Sequence, residues 1–133
     1  FKELEEKMKD YKYSKEHEWV KMESDQIVAI GISPHAADTL GDIVFVELPE
    51  IDDSVQQFEQ MGEIESVKAV SDLFSPVTGK VVEVNNEVID QPEKINEEAE
   101  AGGWMIKVVL SDLSELENLM SESEYKQFLE TEE

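Results

Sequence analysis

The chain of 133 residues has no cysteine, and this absence excludes several kinds of chemistry at once. Without thiols it can form no disulfide, no zinc–thiolate site and no cysteine nucleophile. Its two histidines, His17 and His35, are too few for a histidine-rich metal site, and its carboxylates follow no calcium-loop pattern. A Gly-x-Ser-x-Gly nucleophile motif and a glycine-rich phosphate loop are also missing. We therefore expect no catalytic residues, no bound metal and no enzymatic activity.

Basic residues are scarce as well, since 11 Lys and Arg stand against 33 Asp and Glu and give a formal net charge of −22. Such a surface repels nucleic acids and anionic membranes, so neither is an expected partner. The plain interpretation of the charge is solubility, and the sharper one is complementarity to more basic partner enzymes. No apolar run approaches the length of a membrane span, and no basic-plus-apolar signal opens the chain.

From Tyr13 onward the chain does contain short apolar runs, with period-two alternation or β-branched residues, separated by turn residues. This pattern is typical of an all-β domain. The length fits a single domain over residues 1–133, with a β-sandwich core over 13–110. The predicted strands cover residues 17–22, 26–32, 43–48, 62–67, 81–84 and 104–110.

One helix is predicted inside this β-rich region. Ser33 is a suitable N-cap, Pro34 suits the first helical position, and Gly41 stands just past the end. These three residues predict a helix over Pro34–Leu40. A weaker helical turn is predicted after Pro92.

Helices are also predicted at both ends of the chain. Residues 1–12 carry apolar side chains at helical spacing and indicate a short amphipathic helix. The C-terminal helices occupy residues 111–133. Ser111 can cap a segment over 112–120, and Ser121 with Glu124 makes a capping box for a last helix that runs to about residue 129.

The sequence contains an internal echo at a shift of 38 positions. Two glycine-led strands recur in each half, which suggests two similar β units related by a pseudo-twofold axis. Chance matching of valines between β-rich segments is the alternative. The matched positions are Gly41 with Gly79, Ile43 with Val81, Val44 with Val82, Val46 with Val84, Ile51 with Ile89 and Asp52 with Asp90; Gly62 and Gly103 lead the second strands.

Lys68 lies between two short apolar strands, where a hairpin tip would present its amine. Val67 and Ala69 make the tip small and apolar. Glu65 and Asp72 place one carboxylate on each strand of the hairpin, where a modifying enzyme could recognise them. A solvated surface charge is the ordinary alternative for any lysine. The flanking residues favour a covalent attachment over a catalytic amine.

The segment Glu-Ser-Val-Lys-Ala-Val-Ser-Asp at residues 65–72 resembles the lipoylation site of the H protein of the glycine cleavage system. The resemblance extends over roughly residues 13–129 and includes several motifs in the family's order. Those motifs are Tyr-Ser-Lys-Glu-His-Glu-Trp-Val at 13–20, Val-Ala-Ile-Gly-Ile at 28–32, Leu-Gly-Asp-Ile-Val-Phe-Val-Glu-Leu-Pro at 40–49, Ser-Pro-Val-Thr-Gly-Lys-Val-Val-Glu-Val-Asn at 75–85 and Gly-Trp-Met-Ile-Lys at 103–107.

The resemblance implies a mainly β fold with small helices: a barrel-sandwich hybrid of the lipoyl/biotinyl-domain type, with flanking N- and C-terminal helices. Two antiparallel sheets would hold Lys68 on a hairpin turn. Lipoate would be joined to Lys68 by a lipoate ligase or a lipoyl/octanoyl transferase. Glu65 would be a recognition point for that enzyme, as would Gly79, which stands eleven residues after the lysine. If Gly79 has a positive φ, any side chain there perturbs the turn.

The implied function is that of a carrier in one-carbon metabolism. It would take the aminomethyl group of glycine from glycine decarboxylase, the P protein, and pass it to aminomethyltransferase, the T protein. Dihydrolipoyl dehydrogenase, the L protein, would then reoxidise the dithiol. Such a protein would be cytoplasmic in a bacterium, or would lie in the mitochondrial matrix of a eukaryote.

By the same resemblance, the lipoyl arm folds into a cleft that keeps water from its labile load. The apolar residues of this cleft would cover the arm, and one of the two carboxylates would pair with the loaded ammonium. Ordinary core packing is the alternative for the apolar residues, and an exposed surface position is the alternative for Glu18. The cleft residues are Glu18, Ile32, Ala36, Leu40 and Asp72.

The sequence departs from the family pattern at two places. Thr39 stands where many members carry a histidine, and threonine can donate a hydrogen bond but cannot take a charge; His35 lies one turn earlier. Residues 97–102 replace a loop that usually contains Pro-Tyr, and we expect this to change a surface loop. Two other functions stay open: a lipoyl-relay protein that donates lipoyl groups to other acceptors, and, less favoured, a biotin carrier, whose lysine usually lies between two methionines.

Overall fold

A computed structural model of the protein describes residues 11–131 and has a mainly β architecture. The strands are β1 (Tyr11–Tyr13), β2 (Glu18–Met22), β3 (Ile27–Ile32), β4 (Ile43–Glu47), β5 (Ser54–Val55), β6 (Gln60–Ser66), β7 (Val70–Phe74), β8 (Gly79–Val84) and β9 (Ile106–Leu110). The helices are α1 (Pro34–Leu40), α2 (Asn86–Asp90), α3 (Glu93–Glu97), a 3₁₀ helix η1 (Leu113–Asn118) and α4 (Glu122–Thr131).

The strands form two antiparallel sheets, as predicted. The larger sheet has the order β1-β2-β3-β9-β8-β5, and the smaller has the order β4-β6-β7. One apolar cluster joins the two sheets, because Ile32 of the larger sheet packs with Ile64 and Leu73 of the smaller one. Each side chain of this size contributes about 1.5–3 kcal/mol when it is fully buried. Ala37 of α1 and Val88 of α2 belong to the same cluster, so these short helices close its open side.

The internal echo of the sequence corresponds to one strand pair in each sheet. β4 pairs with β6 in the smaller sheet, and β8 pairs with β9 in the larger one. The matched strands β4 and β8 lie in different sheets, but the matched Ile51 and Ile89 differ, since Ile51 is in a turn and Ile89 is in α2.

Gly79 corrects the expectation of a positive φ. It lies inside β8, opposite Leu110, and among residues 11–131 Gly41 is the glycine with positive φ. A Cβ at Gly79 would come within 2.1 Å of the carbonyl oxygen of Val109 and 2.5 Å of Val108 Cγ1. Glycine is needed there because two strands approach closely, and the turn argument does not apply.

The local helix signals are reproduced in the structure. Ser33 caps α1, since its Oγ accepts a hydrogen bond from the Ala36 N–H at 3.1 Å. The capping box of α4 forms in both directions: the Ser121 N–H donates to Glu124 Oε1 at 2.8 Å, and the Glu124 N–H donates to Ser121 Oγ at 3.2 Å. The predicted turn after Pro92 is α3.

The segment before α4 differs from its prediction. It is a 3₁₀ helix, and its cap is Asp112 instead of Ser111, because Asp112 Oδ1 accepts from the Ser114 N–H at 3.0 Å. The predicted N-terminal helix lies outside the described residues except for Tyr11 and Lys12, which belong to β1. Strand pairing is favoured there because β1 completes its backbone hydrogen bonds with β2, and the Tyr11 ring packs edge-on against Trp19 at 5.2 Å.

Candidate functional site

Lys68 is held on the tight turn that joins β6 to β7. Ser66 organises this turn: its N–H donates to the Ala69 carbonyl at 2.8 Å. Its Oγ accepts from the N–H groups of Lys68 at 3.2 Å and Ala69 at 3.1 Å. Ser66 is buried whereas Val67, Lys68 and Ala69 are exposed. The backbone of the turn is therefore fixed, and the lysine amine faces solvent.

The stem of Lys68 lies across the C-terminal end of α1. There Gly41 has φ 84° and ψ −159°, a conformation essentially restricted to glycine. A Cβ at Gly41 would come within 3.3 Å of Lys68 Cε. The missing side chain therefore leaves a shallow cradle for the lysine, and the Val67 N–H binds the Asp42 carbonyl at 3.0 Å beside it.

Asn96 of α3 holds the backbone around Gly41 in place. Its Nδ2 donates to the Gly41 carbonyl at 2.9 Å, and its Oδ1 accepts from the Ile43 N–H at 2.9 Å. One side chain thus closes the end of α1 and starts β4. The sequence analysis did not identify Asn96, because its partners lie more than fifty residues away and no local motif links them.

Glu18 is buried, with 1% of its surface exposed, so the alternative of a surface carboxylate is wrong. Ser14 Oγ donates to its Oε1 at 2.6 Å, and the Phe74 N–H donates to its Oε2 at 3.2 Å. The carboxyl therefore links β2 of the larger sheet to β7 of the smaller one. Burial raises the pKa of Glu18 to about 8, and the hydrogen bonds from Ser14 and Phe74 lower it only in part.

Three further predicted cleft residues lie with Glu18 along α1. Ile32 is the cross-strand partner of Glu18 and is buried. Ala36 and Leu40, four residues apart on one helix face, are half-buried and pack on the apolar cluster that contains Ile32. Because the Ser33 N–H binds the His17 carbonyl at 2.8 Å, Glu18 lies at the start of α1 and Lys68 at its end. Seven helical residues separate these ends by about 10 Å.

Asp72 lies apart from the other predicted cleft residues. It is exposed on β7, and its Oδ1 accepts from Gln60 Nε2 at 3.1 Å. The next residue, Leu73, packs in the cluster with Ile32, and alternation along the strand turns Asp72 to the opposite face. Glu65 is exposed on β6 and belongs to this outer face, since it pairs with Val70.

A second network holds the start of α1. The Tyr125 hydroxyl lies 2.7 Å from Ser33 Oγ and 2.7 Å from His17 Nδ1, and its ring stacks on Tyr13 at 4.3 Å. His17 therefore has a structural role next to Glu18. His35 is exposed with its ring 5.2 Å from that of His17, and Thr39 is exposed on α1.

Residues 97–102 are more than the surface loop that we expected. Ala99 is buried, and its carbonyl accepts from Trp19 Nε1 at 2.7 Å. The hydroxyl of Tyr13 donates to the Glu100 carboxylate. The altered segment is thus tied to β1 and β2, because their aromatic side chains need buried hydrogen-bond acceptors.

Two negative findings apply to residues 11–131. No group of three or more His, Asp or Glu side chains there is placed to hold a metal ion. In the same range, every helix is too short or too polar to cross a bilayer.

The structure thus combines a two-sheet β fold, an exposed lysine on a hairpin turn and a half-buried apolar helix face beside that turn. The family described as Glycine cleavage H-protein matches residues 11–132. The Glycine cleavage system H protein of Halalkalibacterium halodurans is 55% identical over 123 residues, which are 92% of this chain and 95% of that protein. That of Vibrio vulnificus is 53% identical over 122 residues, 92% of this chain and 97% of that protein.

A solved structure of the H protein from Mycobacterium marinum aligns with a TM-score of 0.80 at 37% identity, over 89% of this chain and 94% of that one. The chain therefore belongs to the glycine cleavage H-protein family. Its role is that of a lipoyl carrier in the glycine cleavage system, and it is not a catalyst. This family membership confirms the resemblance found in the sequence and does not support the biotin carrier.

Proposed function

We propose that Lys68 is the residue of this carrier to which lipoate is joined. The single observation that supports this most is the environment of the lysine. A turn held by Ser66 exposes the amine, and the absence of a side chain at Gly41 leaves space beside the lysine stem. Acylation removes the proton and positive charge of the amine, forms an amide bond to an activated acyl donor and releases the leaving group. Because Lys68 is exposed, solvent can take the proton that the amine loses.

The residues along α1 fit the cofactor by their chemistry. The half-buried Ala36 and Leu40 offer an apolar face next to the Lys68 stem, and Ile32 is the buried wall behind it. When bound, lipoate supplies a disulfide that takes up the aminomethyl group of glycine. The apolar face would cover such an arm and keep water away from its load.

Glu18 is the residue suited to a positively charged load. With a pKa of about 8 it is mostly protonated at neutral pH, so the empty site avoids a buried charge. A nearby ammonium favours the carboxylate form and lowers the pKa. Glu18 would therefore release a proton to solvent as it pairs with an ammonium. Asp72, which faces outward, would meet a partner protein or an arm that lies outside the cleft.

Membership of the glycine cleavage system implies three partner enzymes. We propose that the chain serves glycine decarboxylase, aminomethyltransferase and dihydrolipoyl dehydrogenase in turn, in the cytoplasm of a bacterium. Its charge of −22 complements basic docking surfaces on such partners.

The test compares Lys68→Arg with Lys80→Arg, an exposed lysine on β8. Each protein is incubated with lipoate, ATP and a lipoate ligase, and intact mass spectrometry with peptide mapping follows the adduct. We expect the wild type and Lys80→Arg to gain one lipoyl mass at Lys68, and Lys68→Arg to stay unmodified while it keeps its fold. Aminomethyl loading by glycine decarboxylase should follow the adduct.

Two results would contradict the proposal. A Lys68→Arg protein that still supported glycine cleavage would remove Lys68 from the function. Transfer of the lipoyl group from Lys68 to another acceptor protein, without aminomethyl loading, would favour the lipoyl-relay alternative.

A further inference from the structure

The outer face of the smaller sheet carries exposed apolar side chains on either side of Glu65, next to the Lys68 turn. Phe45 of β4 pairs with Glu65 of β6, which pairs with Val70 of β7, so the three side chains lie in one cross-strand row on the face opposite Ile64 and Leu73. Phe45 is 51% exposed and Val70 is 63% exposed. Val67 on the turn itself is 69% exposed. We call Phe45, Val67 and Val70 the hairpin patch.

This concentration of apolar surface is local. Among residues 11–131, nine large apolar side chains are exposed, and four of them, Val44, Phe45, Val67 and Val70, belong to β4 or to the ends of the β6–β7 turn. Single exposed apolar residues are normal on a soluble protein, but several of them around one turn indicate an interaction site. The patch adjoins the one turn that the proposed function requires another protein to approach.

An acidic row borders the patch on the side away from the turn. Glu47 pairs with Glu63, and Glu63 pairs with Asp72, so three carboxylates lie across the same face. Strands β4, β6 and β7 contain no lysine or arginine. Like charges directly opposite one another destabilise a sheet. These three carboxylates therefore do not stabilise the fold, but they would attract a partner with a basic surface.

The reach of the lysine decides which partner must contact the patch. A lysine amine stands at the end of a four-carbon stem. An enzyme that acylates Lys68 must bring its reacting centre within the length of that stem, so its surface must lie against the turn, and the hairpin patch is the exposed apolar surface next to that turn. Enzymes that act on the far end of an attached arm are not held so close.

We propose that the hairpin patch and its acidic row are the docking surface for the enzyme that acylates Lys68, and that this enzyme offers an apolar contact edged by lysine or arginine. The inference rests on the proposed function and adds Phe45 and Val70 to the recognition point Glu65. Burial of the two apolar side chains gives affinity, and the carboxylates set orientation and rate of encounter.

The test uses the full chain with a purified lipoate ligase, lipoate and ATP. Phe45→Gln and Val70→Gln remove apolar contact from exposed positions, and Val82→Gln is the matched control, an exposed strand valine of the larger sheet. We expect kcat/KM for acylation to fall about tenfold or more in the first two variants, as for residues central to an interface, and to stay within about twofold in the control. Glu63→Gln should raise KM at low salt and have little effect at high salt.

A second measurement shows whether the acylating enzyme or glycine decarboxylase docks on the hairpin patch. Each variant is lipoylated to completion by long incubation and then loaded with an aminomethyl group by glycine decarboxylase. Slow acylation with normal loading supports the proposal. Normal acylation with impaired loading would assign the patch to the decarboxylase, and no change in either rate would show that the patch is not a docking surface; both results overturn it. Failure of the wild type to be acylated at Lys68 would instead contradict the proposed function.

Discussion

Lys68 and Gly41 meet across the end of α1, where Cε of the lysine stem lies 3.3 Å from the place that a Cβ on residue 41 would take. The contact joins a turn of the smaller sheet to the helix that forms the apolar wall of the site. Both the conformation of Gly41 and its lack of a side chain therefore matter.

Gly41→Ala should destabilise the protein and displace Lys68. At φ 84° a non-glycine residue costs about 1–3 kcal/mol, and the added Cβ would press on Lys68 Cε. Urea unfolding measures the first effect, and the rate of Lys68 acylation measures the second. The control is Gly102→Ala, whose Cβ would meet only the flexible Glu98 carboxylate at 3.0 Å. Equal stability of the two variants would contradict the strained geometry assigned to Gly41.

Asn96→Ala should loosen the same corner without touching Lys68. It leaves the N–H of the buried Ile43 without its partner, which costs about 1–3 kcal/mol, whereas water can replace the exposed bond to the Gly41 carbonyl. Hydrogen exchange should speed up at the Ile43 amide before it does so at the centre of β9. Asn118→Ala, which removes an exposed hydrogen bond of 3.0 Å to Gln57 Oε1, serves as control and should change little. Unchanged protection of Ile43 would rule out the bracing role.

Glu18→Gln should change how stability depends on pH. The folded pKa of about 8 lies above the ordinary value of 4.5, so between these limits the folded protein holds a proton that the unfolded chain has lost. The contribution is fully present below about pH 4.5 and is lost as pH rises through 8, on the order of a few kcal/mol in all. Free energies of unfolding across this range should decline less steeply in Glu18→Gln than in the wild type. Glu59→Gln, at an exposed site, should keep the wild-type slope; the same slope in all three proteins would mean that Glu18 titrates normally.

Gly79→Ala should be among the most damaging single methyl additions. Its Cβ would lie 2.1 Å from the Val109 carbonyl oxygen, so β8 and β9 must separate, at a cost of about 3 kcal/mol. Thermal unfolding gives the loss, again with Gly102→Ala for comparison. The rate of Lys68 acylation, divided by the fraction of folded protein, distinguishes a structural role of Gly79 from a recognition role. If the rate falls only in proportion to the folded fraction, the role of Gly79 is structural. A slower rate in fully folded protein would assign Gly79 to recognition by the ligase.

The parts of the fold that the sequence predicts are those whose signals are local. Ser33, Pro34 and Gly41 delimit α1 within nine residues, and the Ser121–Glu124 capping box starts α4. The Lys68 turn is predictable because apolar strand residues flank it on both sides. In each case, the hydrogen bonds that fix the element lie within a few residues of the signal.

The missed elements are fixed by distant partners. β5 has two residues and exists because β8 pairs with it. β7 is the second arm of the predicted Lys68 hairpin, but only one of its five residues is buried, so its bounds do not follow from its pattern. The environment of Glu18 likewise depends on the Phe74 N–H, fifty-six residues away. A carboxylate that looks ordinary in the sequence becomes a buried acid only when two sheets close over it.

Tyr125 gives the last helix an influence beyond its own packing. Because its hydroxyl meets the cap of α1 and the residue before Glu18, a chain cut short ahead of residue 125 would lose a brace at the far end of the proposed cleft. Trimming this terminus for convenience of expression would therefore loosen the proposed cleft and leave the Lys68 turn, which Ser66 holds locally, unchanged.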